Sequence, residues 1–264
     1  MRFQPESRRT AQTPSMVTLC VLVMLTLVSA LAGVSGDEII GGHEVSKHSR
    51  PYMAYLLIGR ERRKTSCGGF LIRDDFIMTA AHCKGLTYTV LLGAHNIVED
   101  EATQQVIPVE KAIPHPNYTN INYQNDIMML KLQKKARLSH EVNLIPLPAD
   151  QSSVGAGAEC CVAGWGSVNK KGRKLSNTLL EVTVTVKSLQ ACRDHWGEEF
   201  NEMKICAGVP ERGVCKGDSG GPLVCNGVAH GVVSYGSKPC EKKPSVYTNI
   251  SAFIPWIKDI LGKN

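Results

Sequence analysis

These 264 residues lead one to expect an all-β protein that closes with one short helix and folds in an oxidising compartment. Three observations carry that expectation. Downstream of Ile39, short apolar segments rich in β-branched residues are broken every ten residues or so by Gly, Pro, Asn or Asp, the punctuation of a β-sandwich or barrel. Only near the end does the spacing turn helical, with Ile254, Trp256, Ile257, Ile260 and Leu261 on one face. Ten cysteines, finally, accompany what reads as an export leader.

The leader comes first in the chain. Val17 to Ala32 is almost uninterruptedly apolar, Arg8-Arg9 precedes it, and the small residues Gly33, Ser35 and Gly36 follow. A positive flank, a short apolar centre and a small-residue exit describe a signal peptide over residues 1–36. The competing reading, a membrane anchor, meets a run that is short for a bilayer and lacks a basic stop-transfer cluster behind it. The polar stretch before Met16 is long for a leader, which makes Met16 a candidate start and the preceding residues dispensable. No later segment is apolar for long enough to span a membrane, so the mature chain is expected to have no span.

The strands are expected at Pro51–Ile58, Phe70–Met78, Tyr88–Leu92, Gln105–Val109, Ile127–Leu132, Leu179–Val186, Pro222–Cys225, Val228–Tyr235 and Ser245–Thr248, with the helix over Ser251–Leu261. Length alone does not choose between one large unit and two small lobes. Pro146, Pro148 and the small-residue run from Ser152 to Gly157 interrupt the strand pattern, so residues 146–157 are the candidate connection between two all-β halves.

Cysteine usage fits export. With Cys20 in the leader, nine remain; no Cys-x-x-Cys pair occurs, and the adjacent Cys160 and Cys161 cannot readily chelate one ion together. A disulfide framework with one thiol left over is the expectation, and no metal. The formal charge is +6, and basic residues cluster at Arg60 with Arg62-Arg63-Lys64, at Lys134-Lys135 with Arg137, at Lys170-Lys171 with Arg173-Lys174, and at Lys242-Lys243. Singly these are solvated loops; together they make a surface that would attract polyanions such as sulfated, heparin-like glycans. Nucleic acid is an unsuitable partner for an exported chain without stacking or zinc-finger motifs.

Three short runs bear on chemistry. Serine is a poor nucleophile unless a base takes its proton and donors await the negative charge. In Gly217-Asp218-Ser219-Gly220-Gly221-Pro222 the flanking glycines allow a sharp turn that presents Ser219, with the N–H groups of Gly217 and Ser219 able to converge as an oxyanion hole. A plain Gly-Ser turn is the alternative. In Thr79-Ala80-Ala81-His82-Cys83, one of eight histidines follows an apolar strand among small residues. In Asn125-Asp126-Ile127-Met128-Met129-Leu130 an acid opens an apolar strand, where a buried carboxylate needs a partner and an exposed one would be a turn residue.

Taken together, the runs resemble the chymotrypsin-like (trypsin-fold) serine proteases, and within them the granzyme and mast-cell protease branch. The carrying residues are Ile39-Ile40-Gly41-Gly42, Thr79–Cys83, Asp126 heading its strand, Gly164-Trp165-Gly166, Gly217–Pro222 and Ser234-Tyr235-Gly236. Arg50-Pro51-Tyr52-Met53-Ala54 and Leu92-Gly93-Ala94-His95-Asn96-Ile97 narrow the likeness to that branch. It covers Ile39 to the terminal helix, in the family's order His, Asp, Ser. The resemblance implies two six-stranded antiparallel β-barrels over residues 39–264, and a secreted or granule-stored endopeptidase. Ser219 would attack, His82 would act as base and acid, and Asp126 would orient the imidazole. Ser234-Tyr235-Gly236 would pair with the substrate backbone. Residues 37–38, Asp37-Glu38, would be an activation dipeptide left after a cut at Gly36 and removed by a dipeptidyl peptidase. The freed Ile39 amine would then pair with Asp218.

The family alignment also pairs Cys67 with Cys83, Cys160 with Cys225, Cys192 with Cys206 and Cys215 with Cys240, leaving Cys161 as a free thiol, with an intermolecular link the less favoured alternative. Several granzymes and chymases lack the last bridge, so no single subtype is implied. At the pocket base, where trypsin-like members carry Asp, this chain has Gly213, followed by Val214; the other pocket positions are Gly236 and Ser245. With no charge to neutralise Lys or Arg, cleavage after Phe, Tyr, Leu or Met is expected, and Lys216 would favour acidic groups on the leaving side. Ala94 stands where calcium-binding relatives carry an acid, so no cofactor is expected. Asn117-Tyr118-Thr119 and Asn249-Ile250-Ser251 fit the glycosylation sequon. Expected partners are peptide or protein substrates and protease inhibitors, with a monomeric enzyme. A protease-fold binding protein is disfavoured by the intact His82, Asp126 and Ser219, and an esterase by the peptide-pairing run at Ser234–Gly236.

Overall fold

The computed structural model describes residues 42–149, 152, 154–169, 174–210, 213–237, 240 and 243–264, all within one compact unit, Asp37–Asn264. The leader, Asp37-Glu38 and Ile39 lie outside the described residues, as do Lys170, Lys171, Arg173 and Lys242 from the basic clusters. Among the described residues, no helix is long and apolar enough to cross a membrane.

Six strands close the first barrel in the order β2-β3-β4-β7-β6-β5. They are β2 (Met53–Arg60), β3 (Arg63–Arg73), β4 (Phe76–Thr79), β5 (Thr87–Leu92), β6 (Gln105–Pro114) and β7 (Met128–Leu132). Side-chain alternation explains why these segments curl inward. On β2, Leu56 and Ile58 are fully buried while Leu57 between them faces out, and β4 is buried throughout. Each inward aliphatic contributes about 1.5–3 kcal/mol of burial.

The second lobe is a seven-stranded antiparallel sheet, ordered β1-β9-β8-β11-β12-β13-β10. Its strands are β1 (His43–Glu44), β8 (Glu159–Gly164), β9 (Leu180–Thr185), β10 (Lys204–Ala207), β11 (Pro222–Cys225), β12 (Val228–Tyr235) and β13 (Ser245–Asn249). The two edges nearly meet: Val186 bridges Ala207, and Lys187 N–H donates to the Cys206 carbonyl at 2.9 Å. The second lobe thus has the six strands expected of it, β8 to β13, curled back on themselves, with the two-residue β1 added on β9. The chain leaves the first barrel after β7 and enters the second sheet at β8, through a connection in which residues 150, 151 and 153 are not described.

Several local expectations change. Phe70–Met78 is not one strand but β3 and β4 joined by a turn at Asp74-Asp75. There the Asp75 carboxylate accepts from Arg73 and Lys131, both at 2.5 Å. Those two cations hold its carboxyl below the ordinary carboxylate range although burial opposes them. The polar start of β3, Arg63 to Ser66, pairs with Leu57 to Arg60 of β2 despite its poor apolar pattern. A helix, α1 (Leu189–Trp196), is capped by Ser188, whose Oγ accepts from Ala191 N–H at 3.2 Å, and ends at Gly197 in a positive-φ turn. The terminal helix α2 (Ile254–Lys263) follows a 3₁₀ turn over Ile250–Phe253 and buries Ile254 and Ile257 in the core it shares with the first barrel.

Four disulfides join Cys67 to Cys83, Cys160 to Cys225, Cys192 to Cys206 and Cys215 to Cys240. Each contributes about 2–4 kcal/mol, chiefly by restricting the unfolded chain. Cys161 is free; on β8 it faces away from its bridged neighbour, toward Thr183, and burial pushes its thiol pKa up.

Candidate active site

Strand register brings the His and the Asp together. Thr79 pairs with Met128 across β4 and β7, so the turn Ala81–Cys83 after β4 and Asp126 ahead of β7 emerge at the same end of the barrel. The Cys67–Cys83 bridge ties that turn to β3. Asp126 is fully buried, and its carboxylate is satisfied from three sides. His82 donates twice, through its backbone N–H to Oδ1 at 2.8 Å and through Nδ1–H to Oδ2 at 2.7 Å. Ser234 Oγ donates to Oδ2 at 2.5 Å, and Thr248 Oγ1 donates to the Asp126 carbonyl at 2.8 Å. With Nδ1 carrying the proton on Asp126, Nε2 is left as the basic nitrogen of a half-exposed imidazole.

Ser234 reaches Asp126 because of a bulge. Val233 pairs with Tyr247 and Tyr235 with Val246, so the register between β12 and β13 slips by one at Ser234. The sequence reading gave Ser234 only a place on the substrate strand. Its buried hydroxyl is an additional Asp126 partner that no motif announces.

Ser219 sits in a turn that only glycine permits on either side. Gly217 and Gly220 take φ values of 106° and 83°, and a Cβ on Gly220 would lie 2.1 Å from Thr79 Oγ1. Gly68 N–H on β3 donates to the Ser219 carbonyl at 2.8 Å, fastening this turn to the first barrel. The N–H groups of Gly217 and Ser219 donate to no acceptor among the described residues. Beside them Asp218 is fully buried. Its Oδ1 accepts from Gly166 N–H and its Oδ2 from Cys215 N–H, each at 2.9 Å. A Cβ on Gly164 or Gly166 would meet this carboxylate at 2.3 Å, so both glycines make room for it. Burial pushes the Asp218 pKa up to about 6, against the pull of the two N–H donors.

The other sequence-chosen positions fall into two groups. Gly213, Gly236 and Ser245 face one space: Ser245 Oγ is 3.7 Å from where a Cβ on Gly213 would lie and 3.5 Å from one on Gly236. Lys216 is exposed. Val214, next to Gly213, is buried and packs in the second-lobe core with Val233 and Tyr247. Tyr235 leads into a cleft of about 410 Å³ whose walls include Tyr123, Trp196 and Lys204. Tyr123, absent from the sequence reading, stands edge-on to the His82 ring at 5.8 Å.

Of the two sequons, Asn117 is exposed. Asn249 is corrected. It is buried on β13 and its amide nitrogen donates to the Glu202 carbonyl at 2.8 Å, so that nitrogen has no room for a glycan in this fold. Ligand atoms of Cys67, His82 and Cys83 also cluster, but the sulfurs are joined to each other and His82 Nδ1 is committed to Asp126, so the trio offers no metal site.

Comparison with known proteins identifies the family. The Trypsin family model matches residues 39–257. Mouse granzyme B(G,H) is 49% identical over 241 residues, covering 90% of this chain and 97% of its own length. Bovine duodenase-1 is 48% identical, covering 92% of this chain and 97% of its own. The solved structure of GrC superposes with a TM-score of 0.81 at 47% identity, covering 85% of this chain and 100% of that one. Neuropsin, a serine protease of mouse brain, superposes with a TM-score of 0.77 at 37% identity, covering 84% and 99%. The chain belongs to the trypsin family and is a chymotrypsin-like serine endopeptidase.

Proposed function

We propose that the chain cuts peptide bonds with His82, Asp126 and Ser219 as its triad, after apolar residues, once the Ile39 amine is free. The observation that carries this reading is the buried Asp126 carboxylate, which holds His82 by two hydrogen bonds at the rim where the glycine-flanked Ser219 turn is fastened to β3. Ser219 Oγ attacks the scissile carbonyl carbon as its proton passes to His82 Nε2. The oxyanion is met by the N–H groups of Gly217 and Ser219. Collapse breaks the C–N bond, and the imidazolium returns that proton to the leaving amine. Water then repeats the sequence on the acyl-enzyme: its proton goes to Nε2, the ester breaks, and Ser219 regains its hydrogen.

Activation follows from Asp218. A carboxylate buried in a glycine-lined cradle, with no cation beside it among the described residues, calls for a charged partner, and the Ile39 ammonium is the partner assigned here. Asp37-Glu38 would be trimmed by a dipeptidyl peptidase in a secretory granule or after secretion. Gly213, Gly236 and Ser245 bring no charge to the pocket, which supports cleavage after Phe, Tyr, Leu or Met. Lys216 would draw acidic residues on the leaving side. Sulfated glycans would bind the exposed Lys134, Lys135 and Arg137, which with Gln104 and Gln105 line a depression of about 380 Å³. Asn117 would carry a glycan, and protease inhibitors would occupy the site as substrates do.

A positional peptide library offered to the chain beginning at Ile39 tests the reading. Cleavage after apolar residues, lost in Ser219→Ala, is expected. Preference for Arg, Lys or Asp would refute the pocket assignment, and full turnover by Ser219→Ala would refute the triad.

A further inference from the structure

The two-residue strand β1 lies just behind the proposed new terminus, four residues past Ile39. Both its residues are exposed, and its pairing with β9 is short: His43 faces Glu181, Glu44 faces Leu180, and Val45 N–H donates to the Leu179 carbonyl at 3.2 Å. So brief an edge contact is a weak anchor for a segment that must deliver an amine into the interior.

A side chain adds a second anchor. The Glu44 carboxylate accepts from His95 Nε2 at 2.7 Å, and the two partners differ sharply in setting, with 56% of the Glu44 side chain exposed and only 2% of His95. The His95 Nδ1 atom is buried and without a partner among the described residues, so Glu44 is the polar group that holds this ring. The backbone of His95 is fixed independently. Its N–H donates to Glu101 at 2.6 Å, and its carbonyl accepts from Leu179 N–H at 3.0 Å and from Trp165 Nε1 at 3.1 Å. Trp165 precedes Gly166, whose N–H binds Asp218. The clasp therefore joins the start of the mature chain to the segment that cradles the carboxylate awaiting it. The charged groups around the clasp are Glu101, with Lys47 at 3.6 Å from it, and the Glu181–Arg50 pair beside β1; Asp218 faces the two uncharged N–H donors already named and the neutral phenol of Tyr247.

We propose that Glu44 and His95 are positioning residues for activation: their hydrogen bond holds β1 so that the Ile39 amine is delivered to Asp218, and it thereby sets the balance between inserted and free terminus. This inference rests on the Ile39–Asp218 reading above. Insertion requires the protonated amine, so it raises the amine's pKa above that of a free α-amino group, and the inserted state is lost as pH rises through that raised value. Weakening insertion brings the loss to lower pH. A charge-assisted hydrogen bond with one buried partner is enough to change the insertion constant by about tenfold or more, which moves the alkaline limb of activity by about one pH unit.

The test uses the chain beginning at Ile39 and compares it with Glu44→Gln and His95→Gln, recording kcat/KM against pH and the thermal midpoint. Glu44 is half exposed and Gln is isosteric with it, so Glu44→Gln keeps the test readable even where the buried His95→Gln lowers the thermal midpoint. The expected result is an alkaline limb lowered by about one pH unit, with the acid limb and the turnover at the optimum unchanged. A double variant shifted no further than either single variant supports a shared bond. A lowered thermal midpoint with an unmoved alkaline limb overturns the proposal. Acetylation of the Ile39 amine separates the two failures: activity that survives acetylation overturns the activation reading and this inference with it, whereas activity lost on acetylation beside an unmoved limb in Glu44→Gln overturns the inference alone.

Discussion

Replacing Asp218 with Asn in a precursor that retains Asp37-Glu38, with Ser219→Ala to prevent self-cleavage, probes the buried carboxyl while Ile39 is not free. The Asp218 pKa of about 6 stands about 2.2 units above the ordinary 3.8, and each unit corresponds to about 1.4 kcal/mol, so the penalty approaches about 3 kcal/mol. The sign is set by linkage. A carboxyl raised in the folded state binds its proton more tightly there than in the unfolded chain. Its contribution is therefore fully present below about pH 3.8 and is lost as pH rises through about 6. Asn cannot titrate and escapes that loss. It does forfeit one of the two N–H contacts, from Gly166 or Cys215, but that cost is nearly the same at every pH. Urea unfolding near pH 4 and near pH 8 isolates the titration: the stability of the Asn form relative to the Asp form should improve by about 2.5 kcal/mol between them, the rest lying below pH 4. In the mature chain the sign should reverse at neutral pH, because Asn leaves the Ile39 ammonium buried without its counter-charge. A relative stability that does not change with pH in the precursor would refute the reasoning.

Ser234→Ala removes the 2.5 Å bond to Asp126 and should lower kcat by about tenfold to a hundredfold, the equivalent of about 1.5–3 kcal/mol, with KM little changed in steady-state assays. Gly220→Ala places a methyl 2.1 Å from Thr79 Oγ1 at a φ of 83°, so thermal unfolding should report a loss of about 1–3 kcal/mol or more. Gly213→Asp sets a carboxylate beside Ser245, and tetrapeptide substrates should then show cleavage after Lys and Arg where the parent shows little.

Much of the fold was legible because strand signals here are local. β11 and β12 run over the expected Pro222–Cys225 and Val228–Tyr235, since turn residues bound both segments tightly. The Asp74-Asp75 turn was hidden by apolar residues on both sides, and the polar start of β3 is held by backbone pairing with β2, which side-chain patterning does not report. In the site, His82, Asp126 and the Ser219 turn were readable as motifs. Their meeting depends on the Thr79–Met128 register, a long-range property. Ser234 as a partner of Asp126 could not be read at all, because its inward aim comes from a one-residue slip between β12 and β13.

Every step proposed for this chain requires Ser219 to be the nucleophile. The most direct measurement is mass-spectrometric mapping of a fluorophosphonate adduct on the chain beginning at Ile39, for the parent and for His82→Ala. One adduct per chain on Ser219, formed at least about a thousandfold more slowly in His82→Ala, is the predicted result. An adduct on another residue, or labelling of Ser219 at an equal rate without His82, would contradict it.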